Sequence, residues 1–124
     1  MNSRLLILFN FTPSRLREIA PCAAEFGFSL RPASGSEQRA PIGSIAGPAP
    51  ADPLSAPSFG EEMMLFSCPE SETVFRFLAR LRETGIRPPA LKAVITPHNY
   101  LWTPERLYRE LKAEQTALNG AAPR

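Results

Sequence analysis

The chain has 124 residues, a length that suits one domain with a single core and no need for disulfide or metal staples. Its 14 Lys and Arg, twelve of them Arg, oppose 12 Asp and Glu; the net charge of +2 argues against nucleic acid as a partner. Cys22 and Cys68 are too few for a structural zinc site. No apolar run suits a membrane span or a secretory signal, so we expect a cytoplasmic protein with reduced thiols.

The first predicted unit is a buried strand that leads into a helix. The strand, residues 5–9, is apolar without alternation, which is typical of a strand covered on both faces. Thr12 is the expected N-cap of the helix, with an aromatic residue before it and a proline after it. Gly27 is expected to end this helix. Pro21 lies inside it and predicts a kink or an early break.

A second strand and a long Pro-rich segment follow. Residues 28–31 alternate apolar and polar, as an edge strand does. Residues 31–60 are rich in Pro, Gly and Ala, and we expect a loop or insertion there. Ile42 and Ile45 are its apolar anchors, and residues 41–47 are expected to form one short helical turn against the sheet. A tolerated insertion is favoured over a Pro-rich ligand motif, because no P-x-x-P pattern with a flanking Arg is clear.

The second half of the chain repeats the alternation of strand and helix. A buried strand is predicted at residues 62–66, and Ser67 with Glu70 is typical of a capping box at the start of the next helix. That helix is expected to end at Gly85. Its predicted core positions fall at helical spacing. They are Val74, Phe77, Leu78 and Leu81.

The last predicted unit is a short strand, a polar loop and a helix. The strand, residues 93–96, is closed by Pro97. Thr103 is the expected N-cap of the helix, and Trp102 is expected to pack on Leu107. We expect residues 1–118 to form a single α/β domain and residues 119–124 a flexible tail.

The element order favours an α/β fold with a small doubly wound, three-layer, mostly parallel sheet of four strands in the order 2-1-3-4. The unbroken apolar strands support it, because helices cover both faces of such a sheet. The alternative is a ferredoxin-like α+β fold. Its antiparallel sheet leaves one face bare, so its central strands are expected to alternate.

The C-terminal third of the chain contains the pattern K-A-V-x-T-x-x-N-x-x-W at residues 92–102. Through this pattern, its most specific part, the chain resembles the small bacterial family called domain of unknown function 3783. The segments Leu8-Phe9-Asn10-Phe11 and Pro41-Ile42-Gly43 are similar too. The family has no established activity, so the resemblance implies only a compact intracellular domain. This chain departs from the family in the length and Pro content of residues 47–60. The remaining matching residues are Leu91, Ile95, Pro97, Thr103, Leu107, Glu110 and Leu111.

A ligand site is expected where the carboxyl ends of parallel strands meet the helix starts. Three capped helix starts at this edge suit a small anionic ligand, and a protein partner is the other possibility. The predicted site residues are Asn10, Thr12, Ser67, Cys68, Thr96, His98, Asn99, Trp102 and Thr103. Capping alone also explains Thr12, Ser67 and Thr103. The most consistent function is a non-catalytic binding or regulatory module.

An alternative interpretation is a small thiol enzyme with Cys68 as nucleophile and His98 as base. In the first turn of a helix, Cys68 would have a lowered pKa. Against this, the loop that holds His98 contains no carboxylate to orient the ring, and packing explains a lone thiol. The chain lacks the phosphate-loop, dinucleotide and zinc-protease motifs, so we assign no metal and no cofactor. A third interpretation is a salt-sensitive contact through the Arg-rich residues 76–87.

Overall fold

A computed structural model describes residues 4–33, 38, 41–45 and 59–121 of the chain. Most of the predicted insertion, including residues 46–58, and the end of the predicted tail, residues 122–124, lie outside the described residues. None of the described helices is long and apolar enough to cross a membrane.

The predicted order of strands and helices is confirmed. The elements are β1 (Arg4–Phe9), α1 (Pro13–Glu25), β2 (Phe28–Ala33), α2 (Ile42–Ile45), β3 (Met63–Ser67), α3 (Ser71–Glu83), β4 (Leu91–Val94) and α4 (Pro104–Ala121). Several boundaries differ from the prediction, and α3 begins later than expected. Helix α1 continues through Pro21, β4 begins two residues earlier than expected, and α4 extends past Asn119.

The strands form one sheet in the order β2-β1-β3-β4, as predicted. The pairs β1–β2 and β3–β4 are parallel, but β1 and β3 are antiparallel, with Leu5 opposite Ser67 and Phe9 opposite Met63. The expectation of a parallel doubly wound sheet is therefore wrong at its centre. β3 begins at the end of the sheet where β1 and β2 finish, since Phe9 lies opposite Met63. A strand that starts there runs antiparallel to β1, and it needs no crossover back along the length of the strands.

Helices cover both faces of this mixed sheet, so the predicted three layers are present. Leu6 and Leu8 face a core shared with α1 and α3, whereas Ile7 and Phe9 face a core shared with α2 and α4. Alternate residues of one strand thus supply two cores. The bare face of the ferredoxin-like alternative does not occur. The four predicted core residues of α3 are all buried.

Both outer strands contain a feature that limits further pairing. The edge strand β2 carries Pro32 opposite Leu8, and a proline has no backbone N–H to donate. The edge strand β4 has four residues. The carbonyl oxygen of its last residue, Val94, accepts a hydrogen bond of 3.0 Å from the side-chain nitrogen of Asn99.

Phe59 is a core residue that the sequence analysis missed. Its ring stacks on Tyr108 with a centroid distance of 4.4 Å and lies 5.9 Å from the ring of Phe9. The Tyr108 hydroxyl donates a hydrogen bond of 2.6 Å to Glu61. This bond, with a second from Lys112, holds the pKa of the Glu61 carboxyl below its usual value. Phe59 therefore joins α4 to the start of β3.

We expect Phe59→Ala to lower the free energy of unfolding by about 3–5 kcal/mol, because the truncation leaves a cavity in the core shared with α2 and α4. Urea denaturation measures this change. Phe75→Ala is the matched control, since Phe75 is 70% exposed and its truncation should stay within about 0.5 kcal/mol of the wild type. Equal losses in the two variants would contradict the assignment of Phe59 to the core.

Candidate functional site

The antiparallel pairing of β1 and β3 divides the nine predicted site residues into two groups. Asn10 and Thr12 follow β1, beside the start of β3. The other seven follow β3 or β4, whose parallel carboxyl ends lie at the opposite edge of the sheet. The prediction that all nine gather at one edge is wrong, because it required parallel strands. Ligand binding by these residues stays a prediction.

Asn10 connects three segments of the fold. Its backbone has a φ of 65°, in the left-handed region that Asn tolerates better than most residues. The side-chain nitrogen donates to the carbonyl oxygens of Phe59 and Glu61 at 2.9 Å each. The side-chain oxygen accepts a bond of 3.4 Å from Gln38, which is 2% exposed. These contacts give Asn10 a structural role at the edge where β1 ends.

Two of the three predicted helix caps are confirmed. The Thr12 hydroxyl accepts from the backbone N–H of Arg15 at 3.2 Å, and the Thr103 hydroxyl accepts from that of Arg106 at 3.1 Å. The capping box at Ser67 is wrong. Ser67 extends the β3 ladder, and the N-cap of α3 is Glu70. Cys68 precedes Pro69 and is therefore biased towards an extended backbone, so the helix begins later than predicted.

Cys68 is a buried thiol with an acidic neighbour. Its Sγ donates to the Glu70 carboxylate at 3.4 Å and to the Glu70 carbonyl oxygen at 3.6 Å. Burial raises the pKa of Cys68, and the Glu70 carboxylate adds to this effect. The expected lowering of the pKa is wrong, because Cys68 precedes α3 and does not lie in its first turn. Among the described residues, no hydrogen bond joins Cys68 to His98.

The polar groups of the segment after β4 hold that segment together. The Thr96 hydroxyl accepts from the backbone N–H groups of His98 and Asn99 at 3.2 and 3.3 Å. The Asn99 side chain accepts from the N–H of Thr96 at 2.9 Å and donates to Val94. Asn99 is 8% exposed. The side chain of Asn99 therefore forms the turn from inside, as predicted.

We call residues 97–102 the aromatic loop, because it exposes the large side chains of Tyr100 and Leu101. Leu101 is 78% exposed and Tyr100 is 50% exposed. His98 is exposed too, and its ring meets that of Trp102 edge to face at 5.1 Å. The guanidinium of Arg106 lies 4.0 Å above the Trp102 ring. The loop thus presents aromatic, apolar and cationic groups side by side.

Helix α2 supports the aromatic loop from below. The N–H of Ile42 donates to the carbonyl oxygen of Trp102 at 2.8 Å, and that of Gly43 donates to Tyr100 at 2.9 Å. A Cβ atom on Gly43 would overlap the ring of Tyr100. The predicted helical turn is therefore confirmed, and a side chain at Gly43 would displace the Tyr100 ring.

A polar cleft of about 380 Å³ near the start of β3 was not predicted from the sequence. Arg15 lies in its wall and binds both carboxylate oxygens of Glu62 at 2.9 Å. Arg15 also donates to the carbonyl oxygen of Arg87 at 2.7 Å. These residues are distant in the chain, and each alone resembles an ordinary surface charge. Their mutual pairing gives them a structural role in joining α1, β3 and the segment before β4.

The Arg-rich outer face of α3 is largely paired within the chain. Arg76 contacts Glu72 at 2.7 Å, and Arg80 contacts Glu25 at 3.2 Å and Glu83 at 3.4 Å. Such exposed pairs contribute little stability, but they reduce the positive charge available to a partner. The contacts therefore weaken the interpretation of residues 76–87 as a salt-sensitive interface.

Comparison with known proteins gives one match. Residues 62–118 match the family described as Domain of unknown function (DUF3783). The resemblance found in the sequence is confirmed over this range, which begins just before β3 and ends within α4. The similar segments at residues 8–11 and 41–43 lie outside the match. No significant match was found among curated proteins or among solved structures.

Two substitutions separate the backbone and side-chain roles of Asn10. Asn10→Ala should lower the free energy of unfolding by about 2–4 kcal/mol, because it removes the bonds to Phe59 and Glu61 and strains a left-handed backbone. Asn10→Gly removes the same bonds without the strain, so it should lose about 1 kcal/mol less. Urea denaturation of both variants measures the difference. Wild-type stability in both would refute the connecting role.

The raised pKa of Cys68 predicts slow alkylation. In a Cys22→Ser background, we expect iodoacetamide to modify Cys68 more slowly than free cysteine at neutral pH. The midpoint of the pH–rate profile should lie above that of free cysteine, because less thiolate is present at each pH. Mass spectrometry follows the reaction, and the same variant in denaturant is the control. A midpoint below that of free cysteine would revive the thiol-enzyme interpretation.

Proposed function

We infer that the domain whose residues 62–118 match this family of unknown function is a non-catalytic protein-binding module, with the aromatic loop as its contact surface. One observation carries the proposal. The loop satisfies its polar groups internally and exposes Leu101 and Tyr100 to solvent. A loop that needed only to connect β4 and α4 would not gain from exposing these side chains.

The composition of the aromatic loop favours a protein partner. Trp, Tyr and Arg dominate binding hot spots. Here the Arg106 guanidinium lies over the Trp102 ring, and Tyr100 of the same loop is half exposed. The bonds from α2 and Asn99 fix the loop before binding. Less conformational entropy is then lost when a partner docks.

A small anionic ligand has less support. The Thr103 hydroxyl is engaged as a cap, and the polar atoms of Thr96 and Asn99 are used within the segment. The proposed polar convergence has also lost Asn10 and Thr12 to the opposite edge. The side chains that remain free to meet a ligand are mainly apolar or aromatic.

Catalysis has less support as well. The pKa of Cys68 is raised, so little thiolate is present at neutral pH. His98 contacts Trp102, and no described carboxylate bonds to its ring. The nucleophile and the base of the thiol-enzyme interpretation therefore lack activation.

The proposal predicts a partner whose binding depends on Leu101. Immobilised wild type should retain from a lysate of the source organism at least one protein that Leu101→Ser releases, with affinity falling by about tenfold or more. Quantitative mass spectrometry compares the retained proteins. Phe75→Ser is the matched control, because Phe75 is another exposed large apolar residue outside the loop; this variant should still retain the protein that Leu101→Ser releases.

A second variant tests the support of the loop. Gly43→Ala removes no loop side chain but displaces the Tyr100 ring, so it should weaken retention of the same protein. If Leu101→Ser and Gly43→Ala retain all that the wild type retains, the aromatic loop is not the contact surface.

A further inference from the structure

An apolar cleft of about 200 Å³ lies between α3 and β4. It is separate from the aromatic loop. Val74 and Leu78 form its helix side, and Lys92 and Val94 form its strand side. The ring of Phe66 lies in its floor. Its volume suits one large apolar side chain.

Phe75 stands at the rim of this cleft and is 70% exposed. Its neighbours on α3, Val74 and Leu78, are buried, whereas Val94 on β4 is only partly buried. Burial of the exposed Phe75 ring and of the exposed part of Val94 under a partner side chain is favourable. This surface therefore has apolar area available to a partner.

The charge at the cleft indicates the chemistry of that partner. Lys92 lines the cleft, and its ammonium donates to the carbonyl oxygen of Pro89 at 3.1 Å. Among the described residues, neither Lys92 nor Arg82 has a carboxylate within ion-pair distance. Burial lowers the pKa of Lys92, and the positive charge of Arg82 lowers it further. A carboxylate brought to this point would relieve that repulsion.

We propose that the cleft between α3 and β4 binds a partner segment in which a large apolar side chain stands next to an acidic residue. The apolar side chain fills the cleft under Phe75, and the carboxylate pairs with Lys92. No residue of the aromatic loop lines this cleft.

Two other occupants fit less well. A second copy of this chain, docked by a two-fold axis through the cleft, would bring its own Lys92 and Arg82 against the same pair. A partner strand that extended β4 would need the carbonyl oxygen of Val94, which Asn99 already occupies. The apolar and charged side chains of the cleft therefore have to supply the recognition.

Selection from a random phage-displayed peptide library tests the proposal. Peptides enriched on the wild type should carry an acidic residue beside Leu, Ile, Phe or Met. The synthetic consensus peptide should bind Phe75→Ser and Lys92→Ala about tenfold or more weakly. Leu101→Ser should bind it as the wild type does, which separates this result from the fate of the proposed function. Fluorescence anisotropy measures each affinity.

A charge exchange makes the test specific. Lys92→Glu should lose the consensus peptide and gain affinity for the peptide whose acidic residue is replaced by Lys. Arg17→Glu is the control of equal charge change, on an exposed site of α1. Circular dichroism checks that each variant is folded. If Lys92→Glu does not fold, Lys92→Ala replaces it in the comparison.

Three results would overturn the proposal. They are no enrichment above a surface without protein, a consensus without an acidic residue, or equal losses in Lys92→Glu and Arg17→Glu. A dimer in analytical ultracentrifugation that Phe75→Ser dissociates would instead assign the cleft to a second copy.

Discussion

The antiparallel ladder between β1 and β3 is the constraint on which the arrangement of the other elements depends. Both strands are central and buried on both faces, so their relative direction decides which loops share an edge. The ends of β1 and β2 lie at one edge, where Asn10 and Phe59 form a bonded junction. The ends of β3 and β4 lie at the other edge, which carries the aromatic loop. Structural and exposed roles are thereby separated in space.

Local interactions were the part of the fold that the sequence could predict. Thr12 and Thr103 cap their helices through bonds to residues three positions away, so the pattern contains the whole interaction. Strand direction is different. An unbroken apolar strand satisfies two covered faces whether its neighbour runs with it or against it. Phe59 was missed because it ends a Pro-rich stretch without periodicity.

The sequence predicted that polar and aromatic residues follow β4, but it did not predict how they are arranged. His98, Trp102 and Asn99 were recognised because they interrupt a strand and precede a capped helix. Their division into an inner scaffold and an outer surface depends on contacts with α2, since Gly43 and Tyr100 meet only in the folded chain. The acidic neighbour of Cys68 lies two residues away, yet its effect required knowing where α3 begins.

The two outer strands of the sheet, β2 and β4, affect how readily the protein aggregates at high concentration. Pro32 removes one donor from the side of β2, and Asn99 covers the last acceptor of β4. Unprotected edges let sheets of neighbouring molecules join into aggregates. Here Pro32 interrupts the row of backbone groups on β2, and the Asn99 amide interrupts the row on β4. The domain can therefore display Leu101 and Phe75 without offering a continuous backbone row on which fibres could grow.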